Sequence, residues 1–353
     1  MKGGAIWLIL AFWAGSAQAL NFRDCLKMEQ DNAPLAVQRD CYKSLASPEA
    51  SPPKAADNPV GHQDAKPAAP IPEKTAKPLA EKSMLLSTWN PDQSGAISMY
   101  RQNYFLPIAN SSNPNNAPTS PNPNNQVPYS YPLDNTEAKF QFSFKSRVWA
   151  QESSDWAMWF GYTQQSFWQF WDASHSRPFR ESNYQPELIL SRRFLDPASS
   201  AFAPKLLNIA IDHQSNGQSD PRSRSWNRLY VQTGFENDDF HGGTLVLLPR
   251  LWTRIQVSNP SQNDNPDITH YLGYGDVQLL YFNHYELSAT ARIRSLQLDY
   301  SYPLEEILKY FSPDWRSDFD LHLQYFTGYG ESLIDYNHRQ SVWGVGVSLP
   351  VWK

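Results

Sequence analysis

Residues 139–145 read Lys-Phe-Gln-Phe-Ser-Phe-Lys. Phe140, Phe142 and Phe144 take every second position, and Lys139, Gln141, Ser143 and Lys145 fill the others. In a strand, successive side chains leave opposite faces. One face here is therefore aromatic and the other polar and cationic. The same alternation recurs on both sides. Met158, Phe160 and Tyr162 share a face within 156–168, and Leu207, Ile209 and Ile211 share one within 205–214. Leu229, Val231 and Thr233 alternate with Arg228, Tyr230 and Gln232. Similar runs lie near 98–108, 183–195, 243–256, 269–282, 286–294, 295–304, 317–330 and 341–352.

These runs make about twelve strands of about ten residues, joined by alternating short and long connections. The predicted fold is all-β, a twelve-stranded antiparallel transmembrane β-barrel of the bacterial outer membrane. A soluble sandwich or lipocalin-like barrel is the alternative. It would turn an apolar face inward, whereas here the non-aromatic faces carry Arg and Lys and the apolar faces are rich in rings.

Composition agrees. Of 353 residues, 14% are aromatic and only 18% charged, below the roughly 25% charge of ordinary soluble domains. No run approaches the roughly 20 apolar residues of a membrane helix. A net charge of -5 argues against nucleic acid as a partner.

The chain divides into four stretches. Residues 1–19, MKGGAIWLILAFWAGSAQA, have a lysine, a short apolar core and an Ala-Gln-Ala end, which is the pattern of a secretory signal peptide. Residues 20–44 hold the only cysteines, Cys25 and Cys41; in an exported protein such a pair suits a small staple. Residues 45–94 read as a Pro/Ala-rich linker with no apolar period. Residues 95–353 form the barrel domain. Within it, Asn110 to Pro132, rich in Asn, Pro and Ser, reads as a long exposed loop.

The chemistry concentrates in residues 210–232, AIDHQSNGQSDPRSRSWNRLYVQ. His213 and Ser215 continue the face of Leu207, Ile209 and Ile211. Asn227 shares a face with Leu229 and Val231 on the following strand. A His, a Ser and an Asn thus lie on the lipid-facing side of adjacent strands near one rim. Polar groups facing lipid are expensive unless they bond to one another. Together they also form a nucleophile (Ser215), a general base (His213) and an orienting group (Asn227). In this catalytic reading the backbone N–H of Gly217 stabilises the oxyanion.

The stretch HQSNGQSDPRSRSWNRLY (213–230) resembles the signature of the bacterial outer-membrane phospholipase A family. So do RPFRESNYQPEL from Arg177, NDNPDITHYLGY (263–274) and GYGESLIDYN (328–337). The resemblance covers roughly residues 97–353 and excludes the linker and the cysteines. It implies a twelve-stranded barrel with nucleophile Ser215, base His213 and orienting amide Asn227. It also implies calcium-dependent hydrolysis of phospholipid and lysophospholipid esters at both glycerol positions (phospholipase A1 and A2) by a homodimer.

By the same resemblance, Ser223, Asp264 and the Gln218 carbonyl are calcium ligands, with Ser176 supplied by the facing subunit. Arg is usual in the family where Gln218 stands, but the ligand there is backbone. These oxygens suit a hard cation. Gln164 matches a residue buried in the family's dimer contact. The competing readings are a non-catalytic porin or scaffold barrel, for which twelve strands is small, and a membrane protease of the omptin type.

Overall fold

The computed structural model describes residues 83–89, 97–150, 154–194, 203–256 and 259–350. The expected signal peptide and the two cysteines lie outside these residues. The strands are β1 (Ile97–Met99), β2 (Asn103–Ser111), β3 (Thr136–Ala150), β4 (Trp156–Trp168), β5 (Phe179–Arg193), β6 (Pro204–Ser215) and β7 (Ser225–Phe240). They continue with β8 (Gly243–Ile255), β9 (Gly275–Phe282), β10 (Glu286–Arg292), β11 (Ser295–Pro303), β12 (Asp320–Tyr329) and β13 (Arg339–Leu349). From β2 to β13 each strand pairs antiparallel with the next, and β13 closes on β2. β1 pairs with β3 beyond the end of β2, so β1 and β2 are two pieces of one interrupted strand. The closed, twelve-stranded antiparallel barrel is the fold that the alternation predicts.

Its polarity is inverted. Phe142 is 54% exposed while Lys139, three residues earlier on the opposite face, is 1% exposed. Ile211, Leu229, Val231, Leu251 and Tyr325 are likewise exposed, and Arg228, Asp212, Glu187 and Gln324 are buried. Buried charges are tolerable only when paired, and here they are paired. Lys139 Nζ donates to Glu331 at 2.7 Å and to Gln324 at 2.6 Å. Arg228 bonds Asp212, and Arg250 bonds Asp276. Arg101 and Glu187 meet across the lumen. A polar cavity of about 260 Å³ remains, lined by Arg101, Gln185, Arg250, Asp276 and Glu331 among others. Side chains from distant strands bridge this interior, unlike the open channel of a porin.

The up-and-down order gathers the connections 112–135, 169–178, 216–224, 256–274 and 330–338 at one rim. The structure departs from expectation in three places. Residues 83–89, assigned by composition to the linker, pack inside the opposite end of the barrel. Leu86 and Trp89 join a cluster with Trp159, Trp226, Tyr230 and Trp252. The free N–H groups of Met84 and Leu85 donate to Glu236. Two apolar anchors and one carboxylate suffice to hold a short segment whose neighbours lack any period.

The run 269–282 is not all strand. Its first part forms the short helix α1 (Ile268–Leu272), stopped at Gly273, whose φ of +73° suits glycine. β9 begins only at Gly275. Between β11 and β12, in the connection left between the runs 295–304 and 317–330, lies a second helix, α2 (Leu304–Phe311). The Asn/Pro-rich stretch is also not simply exposed: Ser120, Asn122 and Asn125 are buried against the rim. Its composition reports hydrogen-bonding capacity, which the neighbouring loops use.

Candidate active site

β6 and β7 form the hairpin that carries the predicted triad. His213 and Asn227 are directly opposed in its register. His213 Nδ1 lies 2.7 Å from Asn227 Oδ1. Because an amide oxygen only accepts, this contact makes Nδ1 the protonated nitrogen and leaves Nε2 with its lone pair. Both residues lie on the outward face with Ile211 and Leu229, and Ser215 follows on that same face. No hydrogen bond between Ser215 and His213 is present among the described residues. The structure thus brings His213 and Asn227 together, and places Ser215 on the same face without a hydrogen bond to His213.

The turn after Ser215 is built by Asn216, which sequence reasoning did not select. Its Oδ1 accepts from the backbone N–H of Gln218 and of Arg224. Its Nδ2 donates to the Arg222 carbonyl at 2.8 Å and to Glu181 at 3.2 Å. The Asn-Gly pair at 216–217 was the available signal, as a turn-forming dipeptide. Gly217 adopts φ +61°, and a Cβ there would stand 3.1 Å from the Tyr184 ring. Its exposed backbone therefore adjoins Ser215 with no side chain in the way.

The flanking motifs lie beneath this turn. Arg180 bridges Glu137 and Asp335. Glu181 accepts the Ile334 N–H, and Asn183 accepts that of Leu333. RPFRESN and GESLID thereby lock together and hold Asn216 through Glu181. Tyr336 donates to Asp267. Burial first, then the adjoining Asp267 carboxylate, holds this phenol above its ordinary pKa, so it remains a donor.

Of the expected cation ligands, the chain brings two into contact. Ser223 Oγ donates to Asp264 Oδ2 at 2.8 Å, and Ser225 Oγ donates to the same oxygen at 3.0 Å. Gln218 sits on the same turn, its side-chain amide donating to the Arg180 carbonyl. Ser176 is exposed on another loop with φ +61°, and no hydrogen bond joins it to the pair among the described residues. The donor set is hydroxyl, carbonyl and carboxylate oxygen, which fits a hard cation such as calcium. Among the described residues no group of three His, Cys, Asp or Glu could hold a softer one.

Gln164 lies half-buried on the outward face of β4. Its amide accepts from the Tyr162 hydroxyl and donates to Ser166 Oγ, each at 3.1 Å. A lipid-facing glutamine is thus satisfied within one chain.

The barrel has counterparts among known proteins. The model of the phospholipase A1 family matches residues 81–349. The chain belongs to the phospholipase A1 family. A putative phospholipase A1 of Neisseria meningitidis serogroup B is 35% identical over 288 residues, covering 78% of this chain and 71% of that protein. The outer membrane phospholipase A of Escherichia coli superposes with a TM-score of 0.59 at 31% identity, covering 71% of this chain and 93% of that one. The Salmonella typhi outer membrane phospholipase, described as a dimer with bound calcium, gives 0.59 at 32% identity, covering 72% of this chain and 92% of that one. As a member of this family, the chain is a barrel of the bacterial outer membrane that hydrolyses phospholipid esters.

Proposed function

We propose that the chain is a calcium-dependent serine hydrolase acting on membrane phospholipid through Ser215, His213 and Asn227. The observation that carries this reading is the 2.7 Å His213–Asn227 contact on the apolar outer face. An imidazole held in one tautomer there has no structural purpose that a leucine would not serve better in lipid. Asn227 keeps the proton on Nδ1 and fixes the ring. His213 Nε2 accepts the Ser215 proton as Oγ attacks the ester carbonyl, then returns a proton to the departing alcohol. The Gly217 N–H stabilises the developing oxyanion. Water then releases the acyl group from Ser215 by the same route.

The acyl chain of a substrate lying in the membrane runs along the outward Ile211, Leu229 and Val231. Ester cleavage at both glycerol positions, and on lysophospholipid, is the expected activity. Ser223, Asp264 and the Gln218 carbonyl would hold calcium, with Ser176 of a second copy completing the set. The bound ion supplies positive charge beside the reacting ester. A second barrel against the face of Gln164 closes the groove that one barrel leaves half open.

Full-length protein incubated with labelled phosphatidylethanolamine in mixed micelles, with calcium or with chelator, tests the reading. Release of labelled fatty acid and lysolipid by the native chain and none by Ser215→Ala supports it. Equal release by both excludes the triad.

A further inference from the structure

The loop 112–135 has no part in the chemistry just described, yet it makes more polar contacts with the proposed cation site than with its own strands. Asn125, 1% exposed, donates its side-chain amide to Asp220 Oδ1 at 2.9 Å and to the Ser223 carbonyl at 3.2 Å. Its own carbonyl accepts from Arg224 Nη2 at 3.0 Å. Arg224 is fully buried. Its fork also bonds the Thr119 carbonyl and, at 2.7 Å, the Ser223 carbonyl. Ser120, 3% exposed, donates to the Asp264 carbonyl at 2.6 Å. Asn122 donates to the Asn263 carbonyl at 3.0 Å.

These bonds grip the backbone of both ligand-bearing loops. Ser223 belongs to the β6–β7 turn and Asp264 to the β8–β9 connection, both beyond the last paired residues of the β7–β8 ladder. Among the described residues, side chains join them there: the Ser223–Asp264 and Ser225–Asp264 bonds themselves, Ser225 N–H to Asn265, and the clamps from 112–135. When a cation enters, it competes for the Ser223 hydroxyl and the Asp264 carboxylate. The loop contacts do not use those oxygens, so they are the ones that persist.

We propose that Asn125 and Ser120 are positioning residues that hold Ser223 and Asp264 in ligand register and so set calcium affinity. The inference rests on the calcium reading of the preceding section. Partners that orient metal ligands typically change affinity ten- to a hundredfold when removed.

The test titrates calcium into full-length protein in detergent, following calcium binding by calorimetry and phospholipid turnover in parallel. Asn125→Asp removes both amide donors at constant volume, and Ser120→Ala removes the hydroxyl. The expected result is a calcium midpoint raised about tenfold or more by each, with turnover at saturating calcium within twofold of native. An unchanged midpoint overturns the proposal. A loss of turnover that excess calcium does not restore also overturns it, because the loop then supports the barrel in general. Should Asn125→Asp fail to fold on a heat-modifiability gel, Ser120→Ala decides alone. A native protein that neither binds calcium nor needs it would refute the calcium reading itself, before any variant is compared.

Discussion

His213 and Asn227 sit directly opposite each other on β6 and β7, with Nδ1 and Oδ1 2.7 Å apart. The contact joins an imidazole and an amide on a face that is otherwise apolar. An ionised aspartate at 227 would have to be desolvated there, whereas an amide need not be. Asn227→Ala should therefore leave a folded barrel and lower kcat about a hundredfold, through lost orientation of the ring. Ser215→Ala should lower it by about 10⁴-fold or more. Steady-state kinetics on one phospholipid decides, and equal effects of the two substitutions would contradict the separate roles.

Asn216 makes four hydrogen bonds that shape the turn beside the nucleophile. Asn216→Ala leaves Glu181 and three backbone groups without these partners. It should lower unfolding stability by about 1–3 kcal/mol and reduce kcat more than it raises KM, because Gly217 then moves off the reacting carbonyl. Denaturant unfolding in detergent, paired with kinetics, measures both. Gly217→Ala should resemble it, since φ +61° is strained for alanine and its Cβ would meet Tyr184.

Gln164 is hydrogen-bonded to Tyr162 and Ser166 within one chain. If a second copy docks there, those partners must be shared or exchanged. Gln164→Ala should reduce the dimer fraction seen by chemical cross-linking with calcium and a substrate analogue present. The reduction should be smaller in chelator, where little dimer is expected. An unchanged dimer fraction would remove Gln164 from the interface.

Residues 83–89 are held by Glu236, which accepts from Ser83 Oγ, Met84 N and Leu85 N. A chain lacking residues 20–82 should insert and hydrolyse lipid normally, whereas removal of 20–90 should lower the unfolding midpoint. Glu236→Ala should do the same, by about 1–3 kcal/mol, by leaving those donors unsatisfied in a buried place. Thermal or urea unfolding distinguishes them. Identical midpoints for both truncations would show that the packed segment contributes nothing.

Local pattern alone determined the barrel and its inverted polarity. The alternation of Phe140, Phe142 and Phe144 with Lys139, Ser143 and Lys145 states which residues share a face, because a strand's period is two whatever surrounds it. The same arithmetic put His213, Ser215 and Asn227 on the lipid side. Register and docking were not legible. That Asn125 reaches Ser223, that 268–272 coils into a helix and that Trp89 lies against Trp159 are consequences of tertiary contact. Asn125 and Ser223, or Leu85 and Glu236, are joined across about a hundred residues or more. Single hydrogen bonds over such separations leave no periodic trace in the chain, and they form only after the closed sheet has brought its loops to one rim.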